Sequence, residues 1–366
     1  MKPINIKENS DRLNSEFIGD RIEINKTMNS IMREAKSRAK LSTCLICGKE
    51  QTSFCNSHTV PAFCLRNIAK NGKVCTSNSI VKYPFLIKAV NGVNEAGTFK
   101  LICHKCDGFI FQEYEDPSAY NKSEPSSKIL AQIALKNGLK AISKRMNELK
   151  MYDILREQTL GNEKFIDGMI AIAKMDLKEY YVSINKAKSL SKKPDNDGYY
   201  LFYYKVLDYV TPIAYQGQLT LYVDFDGKVI NDLYYYSPKY KTKDLHVGIF
   251  PLEHKTVIIL FVDNNETRYR SFYKKFRKLT EEDKLSVINY MILLYSEDYF
   301  LTEDIKQVIE SDENTAKIIG QINMLSLTQE DLGHTNTLSE IKDLYILSKH
   351  KDVINILSEK YKTNRG

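Results

Sequence analysis

Cys44-Leu-Ile-Cys47-Gly48 and Cys103-His-Lys-Cys106 are the places where residue type and spacing together point to chemistry. Each C-x2-C presents two thiolates from one tight turn, and Gly48 relaxes the backbone after the first pair. Two such knuckles supply the four sulfurs of a tetrahedral structural zinc site. Cys47 and Cys103 lie too far apart for a simple zinc ribbon, so a further segment is inserted between the knuckles. Cys55, His58, Cys64, Cys75 and His104 are competing ligands. Neither C-x2-C is followed by His, which excludes c-type haem attachment. No thioredoxin-like βαβ pattern surrounds the pairs, which weighs against a redox dithiol. The inserted segment carries Asn56-Ser57-His58-Thr59-Val60-Pro61, and the second knuckle runs directly into Asp107-Gly108. Histidine is the side chain whose pKa suits taking a proton from water near neutral pH. An aspartate is a hard oxygen donor suited to Mg²⁺ or Mn²⁺. Together they could hydrolyse a phosphodiester.

The elements that must position these residues divide the chain into a helical lead-in (1–40), a cysteine-rich module (41–116) and an α+β domain (126–366). From Arg21 to Lys40, Ile22, Ile24, Met28, Ile31, Met32 and Ala35 recur near helical spacing among basic residues. Pro117 to Ser127 is a breaker cluster, and Ser126 or Ser127 can cap the helix that follows. That helix carries the stripe Ile129, Ile133, Leu135, Leu139, Ile142, Met146 and Leu149, with Lys136, Lys140 and Lys144 decorating the rest and Gly138 interrupting it. A second helix is expected over 163–185. Tyr199 to Val206 reads as a strand. Leu219 to Phe225 and Lys228 to Asp232 read as a hairpin about Asp226-Gly227. Leu233–Tyr236, His246–Phe250 and Thr256–Val262 add further strands. Thr280-Glu-Glu-Asp283 resembles a capping box ahead of a helix over 285–295, and helices are expected at 303–309, 313–325 and 337–361. The fold class is α+β, with an antiparallel sheet flanked by helices.

A zinc knuckle, a central S-H-x-[IV]-P element and a second knuckle followed at once by an acidic or amide residue form a layout that resembles the zinc-containing HNH, or ββα-metal, nucleases. The run Cys106-Asp107-Gly108 to Tyr114-Glu115-Asp116 further resembles uncharacterised bacterial HNH-like proteins. The resemblance covers residues 41–116. It implies a small ββα-metal module holding structural Zn²⁺ at Cys44, Cys47, Cys103 and Cys106. His58, ending the first strand, would be the general base. Asp107, opening the helix, would hold a catalytic Mg²⁺ or Mn²⁺. The zinc would pin that strand against the helix. Ser57 stands where most active members carry Asp, Glu or His as another ligand. The middle Asn of the family has two candidates, Asn71 and Asn78. Glu115 lies eight residues beyond Asp107, on the same helical face about two turns away, and would support the site from behind.

Net charge is +7, from 53 Lys and Arg against 46 Asp and Glu, a mild excess that permits nucleic-acid binding without demanding it. Hydrophobic residues at 43% and charged residues at 27% exclude a disordered chain, a collagen-like fibre and a disulfide mini-protein. No apolar run reaches the ~20 residues of a membrane span and no secretory signal is visible, so a cytoplasmic location with reduced thiols is expected. Walker A, G-x-G-x-x-G and nucleophile-elbow motifs are absent. The tyrosines between 199 and 240 fit half-buried sheet positions better than a base-stacking platform, and the basic-aromatic run 268–278 fits a helix with inward aromatics. The expected function is a metal-dependent HNH-type endonuclease acting on nucleic acid, DNA foremost. By analogy it would serve in phage defence, with a regulatory protein or a second copy as further partner and no membrane. The alternative is a catalytically inactive zinc-stabilised module that binds nucleic acid or protein.

Overall fold

A computed structural model describes residues 18–76, 90–121, 124–158, 163–193, 195–325 and 342–363, apart from 234, 236, 238 and 297. The chain is mixed α and β, with antiparallel sheets and a four-cysteine cluster. In order, the elements are α1 (Ile18–Arg38), β1 (Ser57–His58), α2 (Ala62–Ile68), β2 (Lys73–Thr76), β3 (Val90–Gly92), β4 (Thr98–Phe99) and α3 (His104–Phe111). Next come α4 (Ser127–Glu157), α5 (Glu163–Leu190), β5 (Tyr199–Leu207), β6 (Ile213–Leu219), β7 (Leu245–Pro251) and β8 (Thr256–Asp263). The series ends with α6 (Arg270–Phe276), α7 (Glu281–Tyr295), β9 (Phe300–Leu301), α8 (Glu303–Ser311) and α9 (Glu313–Leu325).

The central sheet runs β3-β2-β9-β6-β7-β8-β5, and β1 pairs with β4 in a separate two-stranded ribbon. β8 shows why this sheet sits between two layers. Its sequence Thr-Val-Ile-Ile-Leu-Phe-Val-Asp is almost wholly β-branched or apolar, as strands buried on both faces are. Ile258, Leu260 and Val262 join a core with Phe272 and Phe276 of α6 and Leu285 to Leu294 of α7. Val257, Ile259 and Phe261 join a second core with Ile129, Ile133, Leu135 and Leu139 of α4 and with Phe99, Phe111 and Tyr120. Each fully buried aliphatic side chain contributes roughly 1.5–3 kcal/mol. Residues on both sides of the 117–126 segment therefore share one core. β2 and β3, from the cysteine-rich segment, lie in the same sheet as β9 and β6.

Caps fall where the side chains allow. Ser126 accepts from the backbone N–H of Ile129 at 3.3 Å and starts α4, and Thr280 accepts from that of Asp283 at 3.1 Å and starts α7. Gly138, an expected weak point in α4, packs against α5: a Cβ there would stand 2.5 Å from Ile184 Cγ2.

Three expectations are corrected. The hairpin about Asp226-Gly227 is a single bridge, Val223 to Val229, with Gly227 at φ 72°. Backbone bonds from the Asp224 N–H to the Lys228 carbonyl (2.9 Å) and from the Ile230 N–H to the Tyr222 carbonyl (2.8 Å) cross the turn, and the Asp224 carboxylate accepts from the backbone N–H groups of Asp226 (3.0 Å) and Lys228 (3.1 Å), so a side chain helps close it. Leu233 and Tyr235 are not strand. The helix expected over 337–361 is, among the described residues, helical only at 342–344 and then gives way to short 3-10 turns at Leu347–Asp352 and Glu359–Tyr361. There Leu347, Val353, Ile356 and Leu357 are buried in the core that contains α7. Ser286 and Asn289 of α7 donate to the carbonyls of His350 and Ile354, at 3.1 Å and 2.8 Å, that a helix would have used. Among the described residues no helix is long and apolar enough to cross a membrane.

Candidate functional site

Cys44 and Cys47 sit in a turn closed by the bridge Thr43 to Glu50 and by the Gly48 N–H donating to the Cys44 carbonyl at 2.8 Å. Gly48 takes φ 68°, a left-handed conformation that favours glycine. Cys103 is the N-cap of α3, and Cys106 lies in its first turn. The four sulfurs all lie within 4.8 Å of one another, and Cys47 Sγ is 4.0 Å from Cys103 Sγ. A tetrahedral ion with Zn–S of about 2.3 Å sets its sulfurs about 3.8 Å apart, so the cluster fits zinc with little movement. Burial alone would raise the Cys44 thiol. Hydrogen bonds from the backbone at Cys47, Cys103 and Ile46 outweigh it and bring the thiol down to about 7. Burial and the neighbouring thiols push Cys106 upward. Such crowding of sulfurs favours a cation among them, and four close cysteines could hold a metal ion such as zinc.

The competing ligands are placed elsewhere. Cys64 and Cys75 are buried in the two cores, Cys55 turns to Asp107, and His104 is exposed. His58 lies on β1 opposite Thr98 of β4. Its Nε2 is 3.0 Å from the Val93 carbonyl, which can only accept, so Nε2 carries the proton and the lone pair of a neutral ring sits on Nδ1. The turn before β4 is held by Gly97 at φ 62°, whose carbonyl accepts from the Thr59 N–H at 2.9 Å.

Asp107, expected to hold a divalent ion, meets a different cation. Lys136 of α4 is completely buried. Its ammonium lies 3.0 Å from Asp107 Oδ1 and 2.9 Å from Glu115 Oε1, and donates to Ser57 Oγ at 2.7 Å. Ser57 donates to the same Asp107 Oδ1 at 2.6 Å, and the Cys55 thiol donates to Oδ2 at 3.3 Å. The Phe111 ring closes one side of the ammonium, its centroid 3.8 Å away. Burial alone would raise the Asp107 carboxyl. The Lys136 charge, with hydrogen bonds from Ser57, Lys136 and Cys55, outweighs it and holds the group below the ordinary carboxylate range.

Both Asp107 and Glu115 are thus engaged by one lysine. Among the described residues the four cysteines are the sole group of three or more possible metal ligands within reach of one ion. Asn71 is a turn residue at φ 53° beside Gly72, and Asn78 lies outside the described residues. Glu113 pairs with Lys128 at 2.7 Å, and Asp116 caps the turn at Pro117–Tyr120. Sequence reasoning missed Lys136. The available signal was its place three residues after Ile133 and three before Leu139, on the flank of the apolar stripe, where an amine needs carboxylate partners. The chain matches no protein-family model, no curated protein and no solved structure.

Proposed function

We propose that residues 41–116 form a zinc-stabilised ββα module on an HNH-like frame, and that the chain uses it to bind nucleic acid without divalent-ion hydrolysis. Four cysteines at tetrahedral spacing, the β1–β4 ribbon and α3 in that order, and the net charge of +7 support the frame and the ligand class. The observation that carries the reading is the Asp107 carboxylate. Oδ1 accepts from both Lys136 and Ser57, and Oδ2 accepts from the Cys55 thiol, so the carboxylate already has a cation and two further donors as partners. Lys136 itself is enclosed and cannot touch a phosphate.

One observation favours a second reading, hydrolysis of a phosphodiester. His58 is half-buried, and its Nε2 contact to Val93 leaves Nδ1 as a base.

The deciding experiment runs binding and cleavage on the same preparations. Wild type and His58→Ala are titrated into labelled single- and double-stranded DNA and RNA at two salt concentrations. They are then incubated with plasmid and oligonucleotide in Mg²⁺, Mn²⁺ or divalent-free buffer. Salt-sensitive binding by both proteins with intact substrate supports the binding module. Cleavage by wild type that His58→Ala loses overturns it in favour of the nuclease. Absence of binding to any nucleic acid removes the ligand class.

A further inference from the structure

We propose that the Lys136 ammonium is a tethered cation standing where a divalent ion would otherwise sit, and that Lys136 is the positioning residue joining β1 to α3. This rests on the HNH-like reading above and deepens it. Three oxygens converge on one buried nitrogen: Ser57 Oγ at 2.7 Å, Glu115 Oε1 at 2.9 Å and Asp107 Oδ1 at 3.0 Å. They come from β1, from the turn after α3 and from α3 itself, which makes the nitrogen a hub between elements otherwise far apart in sequence. Divalent ions bind oxygen at about 2.1–2.6 Å, so a contraction of up to about 0.9 Å would turn this cradle into a coordination shell. Two carboxylates face one ammonium, which leaves a negative charge that a doubly charged ion would complete.

The lysine explains the departure at Ser57. A hydroxyl is a weak ligand for a divalent ion, but it accepts well from an ammonium and here passes a hydrogen bond on to Asp107. Ser57 precedes His58 on β1, so the same contact sets the strand that carries the histidine. Unlike an ion, the ammonium neither exchanges nor responds to a chelator. It is supplied by α4, outside the module, so the frame around His58 is completed by the following domain.

The test is Mn²⁺ binding by the full-length, zinc-loaded protein, read from the electron paramagnetic resonance signal of free Mn²⁺. Lys136→Ala is expected to gain one Mn²⁺ per chain, adding Asp107→Asn should abolish it, and zinc content should stay the same. Wild type and Lys136→Arg should show no such site. Folded, zinc-loaded Lys136→Ala that takes up no Mn²⁺ overturns the proposal. Wild-type binding that Asp107→Asn abolishes overturns it too. If Lys136→Ala loses its melting transition in divalent-free buffer, Mn²⁺ should restore it, and no restoration also counts against the proposal. Nucleic acid plays no part in this measurement, so it can fail while the binding reading stands, and the reverse.

Discussion

Replacing Gly138 by alanine sets two effects of known sign against each other. In an exposed helix interior the change would stabilise by about 0.8–1 kcal/mol, because glycine loses more backbone entropy and leaves the helix barer. Gly138, however, lies where α4 meets α5, and the added methyl would stand 2.5 Å from Ile184 Cγ2. That atom sits on a β-branched, buried side chain with little rotamer freedom. Overpacking of this kind costs roughly 1–3 kcal/mol. The clash is the larger effect, so Gly138→Ala should destabilise by about 1 kcal/mol net, read as a lowered urea midpoint at unchanged slope. In an Ile184→Ala background the clash is gone, and the same substitution should become neutral or stabilising by up to ~1 kcal/mol. A single Gly138→Ala variant more stable than wild type would refute the reasoning, because it would mean that α4 and α5 are not held at this separation. The consequence reaches the site, since Lys136 projects from α4 two residues before this contact.

Two further outcomes are expected. If the four cysteines hold a structural zinc, removing it with a chelator, or substituting Cys103→Ser, should lower stability by more than about 3 kcal/mol. It should also open backbone amides of 44–60 and 97–111 to hydrogen exchange while β7 and β8 stay protected, and equal protection before and after would argue against a structural metal. His246 is buried against Phe261 and Tyr199 and accepts from Asn137 at 3.2 Å. Burial pushes it down to about 4, against a weaker upward pull from Asp263. An unfolded histidine titrates near 6.5, so between those values the unfolded chain binds the extra proton. Stability is therefore full above about pH 6.5 and falls by about 3 kcal/mol as pH drops towards 4. His246→Gln should remove that part of the slope in denaturant melts, and an unchanged slope would refute it.

The four cysteines were legible because C-x2-C is a local code: the first pair sits in a turn relaxed by Gly48 and the second at the start of α3, each set by its own few residues. The helix starts at Ser126 and Thr280 were legible for the same reason. Lys136 was not, because its meaning comes from Ser57, Asp107 and Glu115, on elements that only the folded chain brings to it. Asp107 illustrates the converse. Residue type and position suited a metal ligand, and the amine that pairs with the carboxylate in the structure comes from α4, where no local pattern announces it. The pairing about Gly227 stays at one bridge, and there the Asp224 carboxylate competes for backbone N–H groups that a longer ladder would use. The expected helix over 337–361 failed because its apolar residues are spent on filling a groove beside α7. The inward aromatics of 268–278 are seen at Tyr269, Phe272 and Phe276, all buried.

The placing of β9 has a consequence during synthesis. Cys75 of β2 pairs with Leu301, and so does Ile213 of β6. At roughly 5–20 residues per second, on the order of ten seconds or more separates the emergence of β2 from that of its neighbour. Throughout that interval the four cysteines, which could hold a metal ion, are already outside the ribosome, while the β2 edge stays open to other polypeptides. Early metal loading would then act as a temporary fastener, holding the first quarter of the chain in shape until the strand that seals it leaves the ribosome.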